Sequence, residues 1–346
     1  MLVKDAKDIA RKWVIDEGSK LPGFYGAFYH GSINWLSDSS ILSTTSDVDI
    51  MVVLDDSNPS DKLGKFIYQD IILEVSYLPS NQLLLPDQIL AQYHLAGDFR
   101  TPSVILDPSG RLSNIQTAVA EDYAKRKWVY KRCEHAMNKI MKNLQSLNDL
   151  GPFHDQVAAW LFAAGVMCHV LLVAGLKNPT VRRRYLAVKE LLEEYGYTNF
   201  YEILLEVLAC ARMNRTDVEC HLARLADVFD VAKGVMKTPF FFASDISDIA
   251  RPIAIDGSRE LIEGGYHREA VFWIVATYSR CQKILYHDAP AEMQDRFTPG
   301  YLQLLADLGI ASPLDLQQRG EQIKKLLPQL WNMAEVIISA NPAIEG

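Results

Sequence analysis

Tyr29-His30-Gly31-Ser32 and, after a loop, Ser46-Asp47-Val48-Asp49-Ile50-Met51-Val52-Val53-Leu54 decide how this chain begins to fold. Successive side chains of a strand alternate faces, so Asp47 and Asp49, at the mouth of an apolar strand, point the same way. Two like charges on one face repel unless a cation lies between them. Hard divalent ions such as Mg²⁺ take oxygen ligands of this kind and usually keep waters and substrate phosphates as well. Upstream, the apolar and aromatic run from Phe24 to Tyr29 leads into Gly31-Ser32 and then Ile33-Asn34-Trp35-Leu36. That order reads as strand, tight turn, helix start, and backbone N–H groups at a helix start bind phosphate. A phosphate cradle beside a carboxylate pair implies metal-assisted chemistry on a nucleotide.

A third acid belongs with these two. Residues 64–78 read as a hairpin with its turn near Gln69-Asp70, which places Glu74 among Leu73, Val75 and Tyr77 of the second strand. A carboxylate in an apolar strand is costly unless it is paired or binds metal. If that strand lies beside the Asp47 strand, three carboxylates converge. Residues 55–63, containing Asn58-Pro59, form the expected connector. The plainer reading is that Asp47 and Asp49 cap a strand while Glu74 pairs with Lys62 or Lys65.

Gly31-Ser32, Asp47-Val48-Asp49 and Glu74 together resemble the DNA polymerase β-like nucleotidyltransferase superfamily, and within it the branch of bacterial aminoglycoside (kanamycin-type) nucleotidyltransferases. The likeness covers the first third of the chain by motif and the remainder only by helical character. The loop 33–46 is longer than the family pattern, and the third acid is Glu where many members carry Asp. The resemblance implies a Mg²⁺-dependent enzyme. It would move a nucleoside monophosphate from a nucleoside triphosphate such as ATP to a hydroxyl of a small molecule, such as an aminoglycoside-like antibiotic, and release pyrophosphate. Two Mg²⁺ ions are then expected, held by Asp47 and Asp49, with Glu74 on the catalytic ion. Gly31 and Ser32 would receive the β- and γ-phosphates, and a homodimer is a family-level expectation. Modification of a protein, as in related toxin–antitoxin systems, and a non-catalytic nucleotide-binding role are the alternatives.

The chain has 346 residues, 49% of them hydrophobic and 23% charged, the balance of an ordinary globular protein. Its net charge of −8 argues against a nucleic-acid partner, which would require a basic face. The five cysteines are scattered, without C-x-x-C or zinc spacing, as buried thiols of a reducing compartment would be. The start of the chain lacks the apolar stretch of a signal peptide, so the expected location is cytoplasmic. Residues 157–176 are almost wholly apolar and long enough to span a bilayer. A central helix of a bundle is apolar all round for a different reason, because neighbours surround it. With no second such segment and no basic flank, the expectation is a buried helix and no membrane partner.

Strand-like runs dominate up to residue 106, and helical periodicity takes over beyond it. The expected class is therefore α+β: an N-terminal nucleotidyltransferase domain with a mixed sheet over residues 1–112, then an all-α helical-bundle domain over residues 113–346 that completes the acceptor cleft. Helices are expected over 5–20, 83–96, 114–147, 153–174, 180–195, 200–213, 217–236, 267–285, 301–308 and 313–340, with 238–257 irregular. Two residues of the helical region enter the candidate site. Asp155, at the head of the apolar helix, is a candidate general base, although a carboxylate in a first turn also simply favours the helix dipole. Arg183, in Arg182-Arg183-Arg184, is a candidate triphosphate ligand, guanidinium being well matched to phosphate. For at least two of these three arginines a solvated helix face is the simpler expectation.

Overall fold

Two apolar patterns with different periods meet in the first hundred residues. The face of Val3, Ala6, Ala10, Trp13 and Val14 recurs every three or four residues and forms α1 (Val3–Asp16), with those side chains buried. The period-two runs form β1 (Phe24–His30), β2 (Val48–Leu54), β3 (Lys62–Tyr68) and β4 (Ile71–Pro79), joined later by β5 (Val104–Leu106). The structure, a computed structural model, describes residues 1–55, 62–83, 85–148 and 151–346. The expected connector with Asn58-Pro59 lies outside the described residues, as do positions 149–150 of the expected break after the long helix.

The strands form one mixed sheet in the order β3-β4-β2-β1-β5. Only the central pair β2–β4 is parallel among these neighbours; β1–β2, β1–β5 and β3–β4 are antiparallel. The β3–β4 hairpin turns at Gln69 and Asp70, both in the left-handed region with φ of 45° and 69°. One sheet face carries Ala27, Tyr29, Val48, Ile50, Val52, Leu73 and Val75 and packs against α1. The other carries Phe28 and Val53 and packs against α2 (Pro86–Leu90), Phe99 and α3 (Arg111–Asp122). Both faces are covered, so the strand interiors are largely apolar, and a charged side chain among them needs a partner.

The chain divides into two compact units, Met1–Arg132 together with Asn341–Gly346, and Cys133–Ala340. The division falls inside α4 (Arg126–Gln145). The α+β reading holds: a five-stranded mixed sheet near the N-terminus and a helical region after it.

Two expected helices are shorter or broken, and one buried side chain explains both. The segment 83–96 is helical only over α2, and 114–147 is interrupted between α3 and α4. The guanidinium of Arg132, 1% exposed, donates from Nη1 to the Leu90 carbonyl (3.2 Å) and from Nη2 to the Tyr123 carbonyl (2.7 Å). The next carbonyl, Ala124, accepts from the Glu345 N–H of the C-terminal tail at 3.0 Å. Carbonyls at a helix end need partners from outside the helix, and for Leu90 and Ala124 these partners come from distant sequence.

The second unit is helical. The almost wholly apolar segment forms α5 (Phe153–Ala174), with α6 (Arg184–Glu194), α10 (His267–Asp288) and α12 (Pro313–Ala340) packed against it. Of its most apolar stretch, 83% is buried inside the protein, so α5 is a core helix. Between these elements lie α7 (Thr198–Val207), α8 (Arg215–Val235), α9 (Gly257–Glu263) and α11 (Ala291–Asp307). Asn214 caps α8, its side chain accepting from the Asp217 N–H at 3.0 Å. The segment expected at 301–308 begins ten residues earlier and runs through Pro299.

Candidate metal centre

Parallel pairing of β2 with β4 sets Asp49 opposite Glu74, and antiparallel pairing sets Lys65 of β3 opposite Glu74 and His30 of β1 opposite Asp49. Cross-strand neighbours share a face. Lys65, Glu74, Asp49 and His30 therefore form one row across four adjacent strands, two acids bracketed by two basic groups. Asp47, two residues before Asp49, joins the same face. The result is a group of three carboxylates, Asp47, Asp49 and Glu74, with one oxygen of each within 4.8 Å of the others, able to hold a metal ion. The convergence expected from the strand pattern is thus present.

Two lysines of β3 enter this group. Lys62 Nζ donates to Glu74 Oε1 at 2.8 Å. Lys65 Nζ lies 3.0 Å from Asp47 Oδ2 and also donates to Glu74 Oε2. Both oxygens of Glu74 thus hold an ammonium. The pairing that the plainer reading assigned to Glu74 exists, and it coexists with the triad. All three acids of the group are half-buried, Asp49 among them. Burial, then the charges of Asp47 and Glu74, push the Asp49 carboxyl well above the usual range, against the opposing pull of His30 and Lys65.

Gly31 follows β1 with φ +68° and opens a short 3₁₀ turn, Gly31–Trp35. A Cβ at this position would stand 2.7 Å from Asp49 Oδ2. The glycine is what lets the chain turn tightly over the carboxylate. Its N–H donates to Asp98 Oδ1 at 3.0 Å, so the amide expected to meet a phosphate already serves an acid of the protein. Ser32 follows it, half-buried, in the same turn.

Asp98 is the site residue that the sequence reading missed. It is 3% exposed and lies in a short 3₁₀ turn, Ala96–Phe99. Besides the Gly31 N–H, its carboxylate accepts from Asn34 Nδ2 (3.1 Å) and meets His30 Nδ1 (2.5 Å). Asn34 also donates to the Tyr29 carbonyl at 2.6 Å, tying the turn back to β1. Burial acts to lower the His30 pKa, but the charge of Asp98 and its hydrogen bond outweigh it, helped by Asp49 and Glu74, and raise it to about 9. His30 is therefore an imidazolium at neutral pH.

The candidates from the helical region, Asp155 and Arg183, belong to the second unit. Asp155, in the first turn of α5, is bound by Lys283 Nζ at 2.8 and 3.1 Å. Arg183 is exposed at the N-cap of α6. Its neighbours are structural, contrary to the expected solvated face. Arg184 is 2% exposed, donates from Nε to the Val181 carbonyl and stacks on Phe272 at 4.0 Å. Arg182 donates to the Ile253 carbonyl at 2.7 Å.

Against known protein families, no family model matches the chain, and no curated protein matches it.

Proposed function

We propose that the chain is a Mg²⁺-dependent nucleotidyltransferase that moves a nucleoside monophosphate from a nucleoside triphosphate to a hydroxyl of a small molecule. The observation that carries this reading is the register that brings Asp47, Asp49 and Glu74 to one point beside the Gly31 turn. The donor set fits a hard divalent ion: three carboxylates, with the Lys65 ammonium already a positive centre between two of them. Asp47, Asp49 and Glu74 would hold the ion, which when bound supplies charge stabilisation at a reacting phosphoryl group and activation of the attacking hydroxyl. The other roles fall to this chain's own groups. The absent side chain at Gly31 admits the Asp49 carboxylate, and Asp98 and Asn34 hold the turn in place. His30, fixed as a cation by Asp98, puts at the β1 end of the row the charge that an incoming triphosphate needs. Ser32 offers its hydroxyl and N–H from the same turn to a terminal phosphate. A net charge of −8 disfavours a polyanionic acceptor.

A second reading, a non-catalytic polar cluster, draws on the two lysines that neutralise Glu74. The deciding experiment incubates the protein with Mg²⁺, each labelled nucleoside triphosphate and a panel of hydroxylated acceptors, and follows pyrophosphate. Release by the wild type and its loss in Asp49→Asn support transfer. Neither nucleotide binding nor pyrophosphate release under any condition leaves the cluster as a structural device.

A further inference from the structure

Lys65 is the least expected member of the candidate site. It sits on β3, opposite Glu74 in the strand register, and its side chain is only 6% exposed. Its ammonium bridges two members of the triad, Asp47 and Glu74, while Lys62 holds the second oxygen of Glu74. An ammonium held between two carboxylates has the same partners and charge sign as a bound metal ion, but it is covalently attached and never leaves. Charge points the same way: a lysine ammonium already held between two of the carboxylates repels any further cation brought to the same place.

We propose that Lys65 is a resident cation of the acidic cluster. It takes the place of a second divalent ion, so the chain binds a single metal. This rests on the nucleotidyl-transfer reading only in requiring that the triad bind a divalent ion at all. In chemical terms, Lys65 is a positioning residue. It fixes Asp47 and Glu74 and confines the exchangeable ion to the side of the cluster formed by Asp49 and the remaining oxygens. Substituting Lys65 with an uncharged side chain of similar length opens the second position.

The test is a count of ions on the full chain with Mn²⁺ alone as the probe, by equilibrium dialysis with spin-resonance detection of free Mn²⁺. The wild type should bind one Mn²⁺ per chain, Lys65→Met two, and Lys65→Arg one. Two ions on the wild type, or one on both the wild type and Lys65→Met, overturn the role of Lys65 while leaving a metal site standing. No Mn²⁺ on either protein overturns both this inference and the metal-dependent reading beneath it. Should Lys65→Met fail to fold, wild-type crystals soaked in Mn²⁺ still decide by anomalous scattering. One peak with Lys65 still on Asp47 and Glu74 upholds the inference, and two peaks, or a displaced Lys65, refute it.

Discussion

Gly31 and Asp98 show how much of this site is built by residues with no metal-binding role of their own. Any side chain at position 31 meets two penalties, a φ of +68° and a contact of 2.7 Å with Asp49 Oδ2. Gly31→Val should therefore lose about 1–2 kcal/mol of stability from the left-handed backbone alone. It should also lose Mn²⁺ binding, measured by urea unfolding and dialysis respectively. Asp98→Asn removes the negative partner of His30. With charged hydrogen bonds at stake, the expected loss is about 1.5–3 kcal/mol. It also carries a signature in pH. The folded-state pKa of His30 is raised to about 9 from an ordinary 6.5, so its contribution is complete below 6.5 and disappears as pH rises through about 9. Urea midpoints should fall across that window in the wild type, and Asp98→Asn should flatten the slope. An unchanged slope would mean that His30 is not the titrating group. Asp47, Asp49 and Glu74 were legible in sequence because a strand has a period of two and a carboxylate in an apolar run stands out. Asp98 was not, since it lies in an irregular turn where no periodicity marks a residue as buried.

At the scale of elements, the β3–β4 hairpin carries both Glu74 and Lys65 and turns on two residues ill suited to it. Gln69 and Asp70 both have positive φ, the geometry of a tight hairpin turn that prefers Asn-Gly. Replacing them with Asn and Gly should stabilise the protein by about 1 kcal/mol, read as a higher melting temperature with Mn²⁺ binding unchanged. α5 offers the opposite case. Gly165 has no room for a methyl group: a Cβ there would lie 2.5 Å from Phe272 and 2.6 Å from Arg184 Nη1. Gly165→Ala, favourable by helix propensity, should instead destabilise by about 1–3 kcal/mol through overpacking, as urea unfolding will show. The element pattern was readable wherever periodicity and burial agreed, as in α1, β2, β4, α5 and α12. It misled around Tyr123, where neither Gly nor Pro marks the break between α3 and α4. There the carbonyls of Tyr123 and Ala124 are claimed by the buried Arg132 and by Glu345, and no local window of sequence contains Glu345.

At the scale of the whole molecule, strands first and helices after were enough to read the α+β class. The discontinuity of the first unit was not readable, because a six-residue tail is too short to show a pattern that says where it docks. That tail, Asn341–Gly346, belongs to the first unit and is tied there by Glu345, whose N–H donates to Ala124 O and whose carbonyl accepts from Arg126 N at 2.8 Å. The feature has a consequence in time. A ribosome makes the chain from one end, so the sheet with its acidic row is complete long before residue 345 exists, and the last hydrogen bonds of that unit wait for the whole of Cys133–Ala340 to be synthesised. Closing so long a loop costs entropy that grows only logarithmically with its length, so the delay is one of order rather than of stability. During synthesis the carbonyl of Ala124 waits for its Glu345 partner, so the acidic row precedes the hydrogen bonds that close its unit.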